Sequence, residues 1–127
     1  SSAASDVYKR QTQELGVQYF FTIHGRRDIN AYDSDEEMHA AFERIGRFNQ
    51  KLQDEGHWVM SGGLVPPEDA MTVLPDGSHS DLPYYNAMTF PSAFWIVQVA
   101  DEQEAINLAH EAAEACAQAV EVRAIAE

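Results

Sequence analysis

The sequence predicts an α+β domain, an antiparallel sheet with helices on one of its faces. Three observations carry that prediction. Residues 17–24 alternate in polarity and bulk at the two-residue period of a strand. Two later segments carry helix N-cap signals, the first followed by apolar side chains at spacings of three and four and the second by an Ala-rich run. The predicted elements then run strand, helix, two strands, loop, strand, helix, strand, a succession whose helices can shield only one side of the sheet.

Taken in order, residues 1–16 show neither period and are read as a disordered tail or a non-native leader. Ser1–Gln11, SSAASDVYKRQ, resembles a translated sequencing adaptor. In the strand Val17–His24, Val17, Tyr19, Phe21 and Ile23 share one face, and Gln18, Phe20, Thr22 and His24 the other. Gly25–Asp33 is polar and loop-like. Ser34-Asp35-Glu36-Glu37 is a capping box with extra carboxylates in the first helical turn. Met38, Ala41, Ile45, Phe48 and Leu52 form one stripe, and Arg44, Arg47 and Lys51 sit late, where cations suit the negative end of the dipole. A helix is therefore predicted over about 35–55.

Gly56 is the natural left-handed residue beyond that helix, and His57–Leu64 reads as a strand. Pro66 and Pro67 end it, because neither can donate to a ladder. Gly62 and Gly63 weaken a strand entropically, which points to a bulge or a close backbone approach where a ligand or partner strand can sit. Ala70–Leu74 is a predicted short strand before the turn Pro75-Asp76-Gly77-Ser78. Ser80–Pro91, with Pro83, Asn86 and Pro91, is predicted to be an ordered loop of the kind that carries function. Ala93–Ala100 is an almost continuous apolar run and a predicted central strand. Asp101 with Glu104 opens a second, Ala-rich helix to Cys116, and Val120, Val122 and Ile125 close the chain with a strand.

The 127 residues suffice for one hydrophobic core, so one domain over residues 17–127 is expected. With 8 Lys and Arg against 21 Asp and Glu, the net charge of −13 repels a phosphate backbone, and nucleic acid is not an expected partner. The clustered cations are Arg26 with Arg27, and Arg44, Arg47 and Lys51 on the first helix. Cys116 is the only cysteine, so no intrachain disulfide can form; nothing resembles a metal-ligand cluster, and neither a metal nor a cofactor is expected. No apolar run approaches the roughly 18 residues of a membrane span, so a cytoplasmic protein without membrane contact is expected. The sheet face that the helices leave bare needs a cover, and a second copy of the chain is the simplest one.

Four stretches carry a family likeness: Tyr19–Gly25 (YFFTIHG), Phe48–Pro67 (FNQKLQDEGHWVMSGGLVPP), Ala93–Ala109 (AFWIVQVADEQEAINLA) and Val120–Ile125 (VEVRAI). Together they resemble the YCII-related family, in the branch named for a DGPF motif. The resemblance spans roughly Val17–Ile125 and implies a ferredoxin-like protomer that pairs into a dimeric α/β barrel. Many members carry a histidine on the first helix and an aspartate late in the second. Counted without gaps, those positions fall on Ile45 and Ala112, and neither side chain can move a proton. The DGPF motif itself becomes Asp81-Leu82-Pro83-Tyr84.

The candidate catalytic residues are His24, as a proton-transfer group, and Asp81, as its orienter or the holder of a substrate hydroxyl. The structural alternatives are a strand-end histidine bonded to a loop and an aspartate bonded to its own turn backbone. Tyr84 and Tyr85 are candidates for a pocket mouth or a dimer contact, and Gly62 and Gly63 for a backbone wall against a ligand. Trp58 and Trp95 read as core or sheet-interface residues, His39 as a solvated helix residue, and Cys116 as a small buried apolar residue. The expected function is a homodimer that binds a small organic ligand in an accessory or regulatory role, with weak or no catalysis. The alternative is a cofactor-free isomerase or lyase acting on a small carbonyl or lactone through His24 and Asp81.

Overall fold

The computed structural model describes residues 16–84 and 86–126; the predicted tail, apart from Gly16, and the candidate Tyr85 lie outside them. Six strands and two long helices follow one another as β1 (Val17–Arg26), α1 (Asp35–Asp54), β2 (Trp58–Gly63), β3 (Thr72–Val73), β4 (His79–Ser80), β5 (Thr89–Val99), α2 (Glu102–Cys116) and β6 (Ala119–Ala124). Four of the strands form an open sheet in the order β2-β5-β1-β6, with every neighbouring pair antiparallel. The fold is α+β, as the order of elements predicts.

Both helices begin as their sequences predict. Ser34 Oγ accepts from the Glu37 amide at 3.1 Å and Asp101 Oδ1 from the Glu104 amide at 2.9 Å. Each glutamate reaches back, Glu37 to the Asp33 amide and Glu104 to the Ala100 amide, one residue before the cap. These bonds satisfy amides that the helix itself leaves without partners. Gly56 takes φ +77°, which lets the chain leave α1 and enter β2.

Cross-strand register puts the apolar set on one side. Phe21 faces Trp95 and Val122, Ile23 faces Ala93 and Val120, and Trp58 faces Val97. With Phe48 and Leu52 of α1 and Leu108, Ala109, Ala112 and Cys116 of α2, these side chains build the core. Phe21, Ile23, Leu52 and Val97 are fully buried, each stabilising the fold by roughly 1.5–3 kcal/mol relative to exposure. The opposite face carries Phe20, Thr22, Phe94 and Ile96, all half-buried, and Met60, which is 54% exposed.

The structure corrects the predicted boundaries in three places. β1 runs two residues past His24, and β5 begins at Thr89, inside the predicted loop. Pro91 is tolerated there because the register shifts between Ile23 and His24, leaving Ser92 as an extra residue beside it. The predicted strand Ala70–Leu74 shrinks to Thr72–Val73 and pairs only with His79–Ser80, outside the main sheet. Too short to join the ladder, it is held by its turn, where Asp76 Oδ1 accepts from the Ser78 amide at 2.9 Å. The ladder also continues past β2, since the Leu64 amide donates to the Ser92 carbonyl at 2.9 Å. Residues 64–84 and 86–88 thus belong to an arm whose Val65, Met71, Val73, Leu82 and Tyr84 are all exposed.

Candidate functional site

A cavity of about 370 Å³ opens between α1 and the helix-covered face of the sheet. Phe42, Ile45 and Asn49 line it from successive turns of α1; Ser61, Gly62 and Gly63 from β2; Ser92 to Trp95 from β5; Tyr32, Cys116 and Gln118 close its end. Asn49 sits at the polar edge of the stripe, four residues after Ile45, and therefore turns toward the sheet. Its Oδ1 accepts from the buried Trp95 indole Nε1 at 2.7 Å, and Phe48 packs edge-on against the same ring at 5.3 Å. At the far end the Tyr32 hydroxyl donates to the Cys116 carbonyl at 3.0 Å, with its ring edge-on to Phe42. Ser92 owes its place to the bulge, and its Oγ lies 3.2 Å from both the Ile23 carbonyl and Gln118 Oε1.

The lining is apolar and neutral-polar, and among the described residues it contains no carboxylate, imidazole or basic side chain. Its two weak acids both stay protonated near neutrality. Burial pushes the Cys116 thiol up to about 11, so its thiolate is on the order of one part in ten thousand at neutral pH. Burial also raises the Tyr32 phenol, opposed by its hydrogen bond with Gln118. Such a cavity can hold a neutral molecule by apolar contact, with a few donors and acceptors to orient it. It offers no group poised to exchange a proton near pH 7.

A family model of the YCII-related domain matches residues 19–127. The chain belongs to the YCII-related family. A search of curated proteins finds no match. In this YCII-related chain Ile45, at the position where the resemblance implies a histidine, stands on the cavity wall. Ala112, at the position implied for the aspartate, is 0% exposed in the core.

The predicted site residues separate into two regions. Gly62 and Gly63 line the cavity beneath α1, as a backbone wall requires. The close approach is at Gly62, where an added Cβ would come within 3.1 Å of the Phe94 ring, whereas the β2 bulge lies back at Trp58–Met60. His24 is on the other face of the sheet, half-buried, with Nε2 3.1 Å from Thr22 Oγ1. It shares a second cavity, of about 440 Å³, with Tyr84 and Pro83 under the arm. Asp81 is exposed and lines neither that cavity nor the third one that His24 borders. Trp95 is core at 3% exposure, Trp58 packs against the core, and His39 is solvated.

Sequence reasoning missed Tyr32, Asn49, Ser92 and Gln118 as lining residues. Asn49 had a signal, an amide among the inward positions of an amphipathic helix. The other three had none, because a bulge and two loop ends bring them together. Among the described residues no helix is long and apolar enough to cross a membrane, and no group of three or more His, Cys, Asp or Glu could hold a metal ion.

Proposed function

We propose that this chain is a small-molecule-binding accessory or regulatory protein of the cytoplasm, acting as a homodimer with weak or no catalysis. One observation carries the reading: the cavity beneath α1 has the size of a ligand site and no side chain able to transfer protons near neutral pH. Its occupant is a neutral, largely apolar molecule with one or two hydrogen-bonding groups, matched to the Asn49 amide and the Ser61 and Ser92 hydroxyls. Titration of isotope-labelled protein with indole and phenol tests it. Saturable shifts at Ile45, Asn49, Ser61 and Ala93 are expected, with a raised melting temperature by mass action. Binding there of organic ions alone, or of none of these probes, refutes it.

The dimer rests on the bare sheet face. In this reading two ferredoxin-like protomers close a dimeric α/β barrel by burying Phe20, Phe94, Ile96 and Met60 of each. The strand order and the half-exposed apolar residues on that face support it. Sedimentation equilibrium is expected to give twice the chain mass for the wild type and the chain mass for Ile96→Glu. A wild-type chain that stays single at high concentration removes this part of the proposal.

A second reading, a cofactor-free isomerase or lyase using His24 and Asp81 on a small carbonyl or lactone, draws on the cavity that His24 shares with Tyr84. It requires Asp81 or water to reach the imidazole. Turnover of a lactone panel that survives in His24→Gln excludes it.

A further inference from the structure

The cavity under the arm is chemically unlike the one beneath α1, and we propose that it is a second binding site, for a small monocarboxylate with an apolar body, held by Arg27. Of the described basic side chains, Arg26, Lys51 and Arg123 each pair with a carboxylate. Arg27, like Arg44 and Arg47, forms no such pair among the described residues, in a chain with 21 acidic residues, and of these three it is the one that lines this cavity. Its guanidinium is nonetheless pinned. Nε donates to the Ala87 carbonyl at 2.7 Å, the backbone amide donates to the Met88 carbonyl at 2.8 Å, and the charge sits 5.8 Å from the Phe90 ring centre. Arg27 lines the cavity, and a guanidinium held at Nε keeps the planar fork of terminal nitrogens that matches a carboxylate.

The rest of the wall selects what that carboxylate is attached to. Leu64, Val65, Pro67, Ala70 and Phe90 supply apolar surface, and the described lining includes no acidic side chain to neutralise Arg27 or repel an anion. A volume of about 440 Å³ suits a molecule the size of an aryl or short-chain alkyl acid. One fixed cation, with no second Arg or Lys in the described lining, favours a monoanion over a phosphate dianion. The electrostatics run against the protein's overall charge, so the selectivity is local to this pocket.

The test is titration of labelled protein with benzoate and hexanoate, each beside its neutral amide. Both acids are expected to saturate one site per chain with shifts at Val65, Ala70 and Ala87, and each amide to bind at least about tenfold more weakly. Arg27→Gln should abolish the difference between acid and amide. Because Arg27 also tethers the arm through Ala87, Val65→Glu serves as a second variant. Val65 is 67% exposed, so the change spares the fold while placing a repelling charge on the wall. Unchanged benzoate binding in either folded variant overturns the proposal. So does equal binding of acid and amide, shifts confined to Ile45 and Asn49, or no saturation by about 10 mM. Indole and phenol at the other cavity report separately, so failure of one site leaves the other readable.

Discussion

Replacing Ala112 with Asp restores a carboxyl where the family resemblance implies one, and asks whether this core can hold it. Ala112 is 0% exposed, and among the described residues no charged side chain is buried to pair with a new one. A carboxyl buried without a partner has its pKa raised by up to about 3–5 units at 1.36 kcal/mol each, a loss of about 4–7 kcal/mol once ionised. The added volume costs about 1–3 kcal/mol more at any pH, the part that Ala112→Val alone should show. Since a domain's whole stability is about 5–15 kcal/mol, the variant is expected close to its unfolding limit near neutral pH. The pH dependence has a definite sign. With the folded pKa above the unfolded value of about 3.9, the ionisation loss is absent below that value and grows as pH rises to the folded pKa. Urea unfolding of wild type, Ala112→Val and Ala112→Asp at about pH 5 and about pH 8 should find Asp markedly worse at the higher pH, and Val equally impaired at both. A loss below about 1 kcal/mol that does not vary with pH would refute the reasoning, because it would mean that solvent or a cation reaches position 112.

Three further outcomes are expected. Asn49→Leu removes the acceptor of the buried Trp95 indole and should cost about 1–3 kcal/mol, with the cost mostly gone in a Trp95→Phe background; strict additivity would dissolve the pairing. Ser34→Ala and Asp101→Ala should each cost about 1 kcal/mol in thermal melts followed by circular dichroism, and the double variant their sum. Cys116 should react with iodoacetamide at least about a hundredfold more slowly in the native protein than in urea. Its raised thiol pKa also means that stability declines as pH climbs above the unfolded value near 9.0, and a rise there would contradict the burial.

Both helices were legible because their determinants are local. Ser34 and Asp101 stand three residues before glutamates, and the stripe from Met38 to Leu52 follows the helical period. β1 was legible from alternation alone. The extent of β5 was not: Pro91 reads as a strand breaker until His24 is known to pair with it across a bulge. The candidate site was legible only in part. Gly62 and Gly63 were marked by their strand context and do line a cavity, whereas His24 borders two other cavities and Asp81 lines none of these three.

By itself the sequence determined the class of fold, the start of each helix, which side chains share a strand face, and a net charge of −13 with cations clustered at Arg26–Arg27 and along the first helix. These depend on spacings of two to four residues, which a chain carries in any surroundings. Only the tertiary structure decided that Ser92 and Gln118 meet across 26 positions at the end of one cavity, and that Arg27 is braced by Ala87 over another. Those contacts follow from the register between strands far apart in the chain, which is set by mutual packing of their buried faces and has no signature in either strand alone.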